Sequence, residues 1–256
     1  MTSDTNPLNV KSLEKAFAIL EAFQDQGRFM ALGELSTATG LGKSATQRFA
    51  YTLKKLGYLE QDPTTRRYAL GKKLLGLTFQ FLRTDPLIDK AAPILTELRR
   101  SLGERVDLSL LDGNSLVYVM RMRTKRESLS HAHIGCSVPL YCSAGGRSVL
   151  ACLPDEEAEQ LIASCDLVAR TPHTKVTPAD IMEDVRKVRS NGYAIQSGEW
   201  RLDEIVIAAA ITDRQGRPVG AVHVAASASE WNEPDFIKHV VPQLLPVVRG
   251  LSGQQQ

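Results

Sequence analysis

Apolar residues recur along this chain with two periods, and the change from one to the other divides it. In VKSLEKAFAILEAF, Val10, Leu13, Phe17 and Leu20 fall on one stripe at helical spacing, which predicts a helix giving that stripe to a core. Leu32, Leu35 and Ala38 recur every three residues in ALGELSTATG, and Gly40 stands where a left-handed C-cap ends a helix. Phe49, Leu53 and Leu56 mark the apolar face of a third helix, stopped by Gly57. YLEQDPTTRRYAL then reads as two short strands around Asp62-Pro63-Thr64-Thr65, with Arg66 and Arg67 at or near the tip. A further amphipathic helix carries Leu74, Leu77 or Thr78, and Phe81 on one side, with Lys72, Lys73, Gln80 and Arg83 around the rest; Asp85-Pro86 breaks it.

Beyond Pro86 a helix runs to Leu102 with Ile88, Ala91, Leu95 and Leu98 apolar, and ends at Gly103. RVDLSLLDGNSLVYVMRM is a strand, an Asp-Gly-Asn turn and a second strand. Thr177-Pro178 starts another helix, and Asn191-Gly192 ends it. YAIQSGEW, IVIAAAITD and PVGAVHVAAS follow as strands, the last two joined by Arg214-Gln215-Gly216, and a closing helix after Asn232 is expected to kink at Pro242 and Pro246. The predicted fold class is α+β: a winged helix-turn-helix at 8–70, a linker helix at 71–85 and an antiparallel sheet with helices at 86–252.

Gly42-Lys43-Ser44 raises a choice between a phosphate-binding loop and the start of a DNA-reading helix. A phosphate loop needs GxxxxGK[ST], and the position of its first glycine is occupied by Thr37; what precedes it is also helical rather than a strand. The helix reading fits. Its polar face carries Lys43, Ser44, Thr46, Gln47, Arg48, Tyr51 and Lys54, donors and acceptors of the kind used on base edges and phosphates. With the preceding helix and the Gly40-Leu41-Gly42 turn it forms a helix-turn-helix, and the basic hairpin is its wing. Gln47 and Arg48 are assigned to bases; Ser44, Thr46, Arg66 and Arg67 are assigned mainly to phosphates.

Charge sharpens this picture. The whole chain of 256 residues has a net charge of +2, but residues 43–73 hold eight Lys/Arg against Glu60 and Asp62. A polyanion partner is expected for that segment, a solvated surface being the alternative. No apolar run approaches a membrane span and MTSDTNPLNVKS lacks a signal core, so a cytoplasmic protein with no membrane partner is expected. Cys136, Cys142, Cys152 and Cys165 form no CxxC pair, and His131 and His133 near Cys136 and Cys142 match no familiar zinc spacing. Neither a metal nor a cofactor is expected.

SLEKAFAILEAF, LGELSTATGLGKSATQRFAYTLKKLGYLEQDPTTRRYALG, VPLYCSAGGRSVLA and NGYAIQSGEW together resemble the isocitrate-lyase-regulator (IclR) family of bacterial transcription factors, along nearly the whole chain from Val10 to Leu251. The P-x-Y-C-S stretch and the GYA strand entry are most similar to regulators of aromatic-acid catabolism, the protocatechuate and p-hydroxybenzoate group. The resemblance implies a GAF-like effector domain, a linker helix acting as a dimer contact, and dimers or tetramers on palindromic double-stranded operator DNA.

For the effector, Ser143-Ala144-Gly145-Gly146 starts a helix with small residues, leaving room for a ligand and exposing amides that favour an anion; a tight helix–sheet contact needing glycine is the equal alternative. By resemblance, Ala144 and Gly145 take loop positions of the effector cavity, Val138 is an apolar wall, Glu199 is the usual acid and Gln196 a polar pocket residue. Val206 and Ala225 stand where relatives often have Cys or Ser, and His223 where a small polar residue is common. Asp203-Glu204-Ile205 and Trp200 depart from the family pattern. His223 and the 144–146 amides are the expected anchors of a small organic acid, an aromatic carboxylate; a short keto acid is the alternative effector, and a buried, satisfied histidine the structural one. Arg121 and Arg123 could reach an anionic ligand, although surface placement is the expectation. Two rival functions are a thiol enzyme using Cys142 with a histidine base, and a DNA-binding scaffold with no ligand.

Overall fold

The computed structural model describes residues 8–24, 27–123 and 133–253. They belong to two compact units, residues 1–83 and 84–256.

The first unit holds α1 (Lys11–Glu21), α2 (Leu32–Thr39), α3 (Lys43–Leu56), β1 (Leu59–Gln61) and β2 (Tyr68–Leu70). Gly40 (φ 67°) and Gly57 (φ 86°) cap α2 and α3 in the left-handed region, where a side chain would be strained. The core collects Ile19, Phe23, Met30, Leu35, Ala50, Leu53, Leu59 and Tyr68. This corrects two expectations. Val10, Leu13 and Phe17 are more than half exposed, because α1 buries Ile19 instead. Leu56 is also exposed, and Thr46 takes a place on the buried face of α3 beside Ala50 and Leu53. β1 and β2 pair antiparallel, and Met30 exchanges backbone hydrogen bonds with Tyr68. The helix α4 (Lys73–Thr84) that follows has no buried residue.

In the second unit, α5 (Pro86–Leu102) starts at Asp85, whose carboxylate accepts the Leu87 and Ile88 amides, and ends at Gly103. The sheet is built from β3 (Arg105–Asp112), β4 (Ser115–Met122), β5 (Ser137–Pro139), β6 (Ala194–Ser197), β7 (Glu204–Thr212) and β8 (Pro218–Ser227). Every pairing is antiparallel, in the order β5-β4-β3-β8-β7-β6. The remaining helices are α6 (Ala144–Ala151), α7 (Asp155–Ala163), α8 (Pro178–Asn191) and α9 (Glu233–Leu251). α9 stays a single helix through Pro242 and Pro246.

Alternation along the strands separates two faces. Val106, Leu108, Val222, Val224, Ile205 and Ile207 form the apolar face, covered by α5 and α9. The opposite face is covered by α6, with α8 behind it. That second face is where the polar residues of the sheet lie.

α6 sits very close to it. A Cβ on Gly146 would clash with the backbone of Leu140, and one on Gly145 with the His223 ring. Gly146→Ala is therefore expected to cost about 1–3 kcal/mol, whereas Gly250→Ala, in open space on α9, should be neutral or slightly stabilising. Urea unfolding of the two variants beside the parent checks both.

Candidate functional site

Two constellations stand out, one in each unit. In the first, a cleft of about 470 Å³ between α3 and the wing is lined by Gln47, Arg48, Tyr51, Thr52, Lys54, Gln61, Arg66 and Tyr68. Lys43, Ser44, Gln47, Arg48 and Tyr51 are all exposed. Lys54 donates to the Gln61 side chain (3.0 Å), and Gln61 donates to the Arg66 carbonyl (2.9 Å), so α3 and the wing are tied together. Arg66 has φ 58°, the left-handed region that a non-glycine residue seldom occupies. Asp62 holds this turn by accepting the Thr64 and Thr65 amides and the Thr65 hydroxyl, hydrogen bonds that lower its pKa.

Two residues assigned to phosphates are placed elsewhere. Thr46 is fully buried, and its hydroxyl donates to the carbonyls of Gly42 (3.2 Å) and Leu41 (3.4 Å), bracing the helix-turn-helix from inside. Arg67 turns toward α2, donating to Glu34 (2.7 Å) and to the Phe29 carbonyl (3.0 Å). Glu34 also accepts the Ala31 amide, and these bonds hold its carboxyl below the usual range. Arg67 pins the wing to α2, and Arg66 is the arginine left facing the cleft.

In the second unit, the strand register gathers the predicted effector residues on the face under α6. Gln196, Val206, Ala225 and Arg105 form one cross-strand row, and Ala208, His223, Asp107 and Arg121 the next. Several of these side chains are already engaged. Gln196 donates to the Cys142 carbonyl (2.6 Å), and Val138 lies in the apolar cluster around Tyr141 and Leu150. Ala144 packs with Val188, Ala194 and Ala208. The Ser143 hydroxyl accepts the Gly146 amide (3.1 Å), which removes that amide from the expected anion anchor. Of the two readings of the small residues at 144–146, the tight helix–sheet contact is the one seen at Gly145 and Gly146.

His223 is buried, 2.7 Å from the Ser109 hydroxyl and 5.1 Å from the centre of the Tyr118 ring. Burial, with Arg105 and Arg121 nearby, holds its pKa down to about 3 from an ordinary 6.5, so the imidazole is neutral at physiological pH. It is the buried, hydrogen-bonded histidine of the structural alternative and brings no positive charge to a carboxylate. Glu199 is likewise committed, paired with both terminal nitrogens of the buried Arg147 (2.7 and 2.6 Å).

The surface placement expected for Arg121 is overturned. Its side chain is 5% exposed, stands over the Tyr118 ring at 4.7 Å and reaches Asp107 at 3.3 Å. Arg123 is exposed, 3.4 Å from His133, while His131 lies outside the described residues. No group of three His, Cys, Asp or Glu that could hold a metal occurs among the described residues. The Cys142 thiol is pushed up to about 11 by burial, which makes it a poor nucleophile for the thiol-enzyme alternative.

A winged helix-turn-helix with a basic outer face, followed by an α+β unit with a buried polar sheet face, defines the class of DNA-binding regulators with a sensor domain. Comparison with known proteins narrows this. The family model described as IclR helix-turn-helix domain matches residues 12–63, and that described as Bacterial transcriptional regulator IclR C-terminal matches residues 79–253. The chain belongs to the IclR family, and is a DNA-binding transcription regulator with a C-terminal effector-binding domain. It is 29% identical to the Pca regulon regulatory protein of Pseudomonas putida, over 97% of this chain and 85% of that protein. It is 31% identical to the glycerol operon regulatory protein of Streptomyces coelicolor, over 94% of this chain and 93% of that protein. Among solved structures, an IclR transcriptional regulator from Silicibacter is similar with a TM-score of 0.80 and 26% identity, covering 96% of this chain and 98% of that one. No helix among the described residues is long and apolar enough to cross a membrane.

The neutral His223 carries a pH signature. Unfolded chain takes up a proton below about pH 6.5 while the folded imidazole does not until about pH 3, so this group's contribution is present above pH 6.5 and lost on acidification. Its share of the loss is up to about 1.4 kcal/mol per pH unit. Urea unfolding at pH 7.5, 6.0 and 5.0 should show a steeper decline for the parent than for His223→Gln; equal slopes would mean that the imidazole is not kept neutral.

Proposed function

We propose that α3 docks in the major groove of a palindromic operator, with Gln47 and Arg48 at base edges and Lys43, Ser44, Tyr51 and Arg66 on the backbone. The observation that carries this reading is the cleft itself: base-reading side chains of α3 and an outward wing arginine line one groove, and the Lys54–Gln61–Arg66 chain fixes their spacing. Groove-facing polar side chains specify, and the basic wing positions.

The regulator acts as a homodimer or a dimer of dimers. Supporting this, Val10 just before α1, Leu13 and Phe17 on it, and Leu75, Leu77, Phe79 and Phe81 on α4 are exposed, apolar side chains that a second chain would cover. A two-fold dimer in turn suits a palindromic site with half-sites one or more helical turns apart. The effector is a small organic acid, and an aromatic carboxylate is favoured by the similarity to the Pca regulon regulatory protein. Binding that acid shifts the regulator between two states with different affinity for the operator.

The test starts with in vitro selection of the bound DNA sequence from a random pool. On the selected duplex, Arg48→Ala is expected to weaken binding by about 1–3 kcal/mol and to relax preference at one base pair. Unchanged affinity and preference would remove Arg48 from the reading face. Fluorescence anisotropy with p-hydroxybenzoate, protocatechuate, pyruvate and glyoxylate then reports which acids alter operator affinity.

A further inference from the structure

The strand β4 contains an irregularity with a chemical consequence. Leu108 faces Met120 across the β3–β4 ladder, but Ser109 faces Tyr118, so Val119 is an extra residue opposite no partner of its own. Such a bulge reverses the alternation of side chains beyond it. Regular alternation would put Arg121 and Tyr118, three residues apart, on opposite faces. With the bulge both lie on the face that carries Ser109, Asp107 and His223, and the guanidinium sits over the Tyr118 ring.

A charged side chain turned into the interior needs acceptors for its hydrogens. Among the described residues Arg121 forms an ion pair with the Asp107 carboxylate, 3.3 Å from its Nη2. Its Nε and Nη1 are buried and have no hydrogen-bond partner among the described residues. The other anionic and cationic groups of this face are already joined: Arg105 bonds Asp107 (2.9 Å) and Glu204 (3.0 Å). Beside Arg121, Tyr118, His223 and Ser109 supply an aromatic and uncharged polar wall. The helix end at 144–146 is a weaker anchor, since the Gly146 amide is taken and Gly145 is filled by the His223 ring.

We propose that Arg121 is the residue that holds the carboxylate of the effector, through the Nε and Nη1 hydrogens that the β4 bulge turns into the domain. The site takes a carboxylate whose body lies along the Tyr118 and His223 rings, and a neutral analogue of the same shape leaves the guanidinium unmatched. This rests on the reading of the second unit as the sensor of an organic acid and names the group that does the sensing.

The experiment uses the full-length chain, titrated calorimetrically with acetate, pyruvate, benzoate and 4-hydroxybenzoate, with benzamide and 4-hydroxybenzamide as neutral counterparts. For the wild type, at least one acid should bind, and more tightly than its amide by about 30-fold or more, the loss typical of leaving a buried charge without its hydrogen-bonded partner. Arg121→Gln should lose that preference, and Arg121→Lys, which keeps the charge with a different donor geometry, should fall between. Equal binding of acid and amide by the wild type, or an undiminished preference in a folded Arg121→Gln, overturns the assignment of Arg121 while leaving the sensor intact. Should Arg121→Gln not fold, the acid–amide comparison in the wild type and Arg121→Lys decides the matter. Absence of binding by every acid overturns the carboxylate site. Acid binding that depends on Arg121 but leaves operator affinity unchanged sustains the site and sinks the sensing role.

Discussion

The buried carboxylate of Asp107 sets the arrangement of the effector unit's polar face. Its side chain is 1% exposed; it accepts a hydrogen bond from Arg105 and forms an ion pair with Arg121 (3.3 Å). A charge taken out of water at a cost of several kcal/mol is tolerated only with close partners of opposite sign. Both arginines therefore have to emerge on the Asp107 face. Arg105 does so by simple alternation along β3, whereas Arg121 needs the extra residue in β4. Glu204 completes the set by taking the far end of Arg105, which carries the pairing across the sheet to the start of β7.

The same face must also receive α6, and the two demands are met by different residues. Gly145 and Gly146 allow the helix to approach until His223 and Leu140 touch its backbone. Arg147, next in sequence, is buried and pairs with Glu199 and with Asp184 on α8, and Lys175 adds a second cation to Asp184. α6, α8 and the segment after β6 are thus bound by one charged cluster that lies apart in sequence from the Asp107 cluster. This sheet face is therefore fixed on one side by glycine contacts with α6 and on the other by ion pairs.

How much of this was legible in the sequence depends on whether the cause is local. Caps are local: Gly40, Gly57, Gly103 and Gly192 end their helices as predicted, because each sits at a positive φ that glycine alone adopts freely. The helix-turn-helix, the hairpin of β3 and β4 and the α+β class followed from such signals and from periodicity. α7 was not predicted; its DEEAEQLIA is largely polar, and the acidic first turn after Pro154 was the available clue. Thr46 misled because a hydroxyl on a helix reads as outward until its carbonyl partners in the preceding turn are known. The α1 stripe misled in the opposite sense, since an apolar face does not say whether its own chain or another one covers it. Arg121 was beyond reach, for a bulge is set by the partner strand and leaves no mark in the alternation of MRM.

The wing shows how two adjacent residues of one type divide a task by backbone conformation alone. Arg66 and Arg67 are chemically the same and share one turn, yet Arg67 is drawn to Glu34, and Arg66 lines the cleft of α3. A residue in the left-handed region carries a conformational cost of order 1–3 kcal/mol that the surroundings must offset. Here Gln61 offsets it by holding the Arg66 carbonyl, and Asp62 by closing the turn through Thr64 and Thr65. Because Gln61 is itself held by Lys54 of α3, the strained residue is positioned from α3 and not from the wing alone. The bulge in β4 follows the same logic in the other unit: a local departure from regular geometry, fixed by neighbours on another element, decides on which face of the sheet Arg121 emerges.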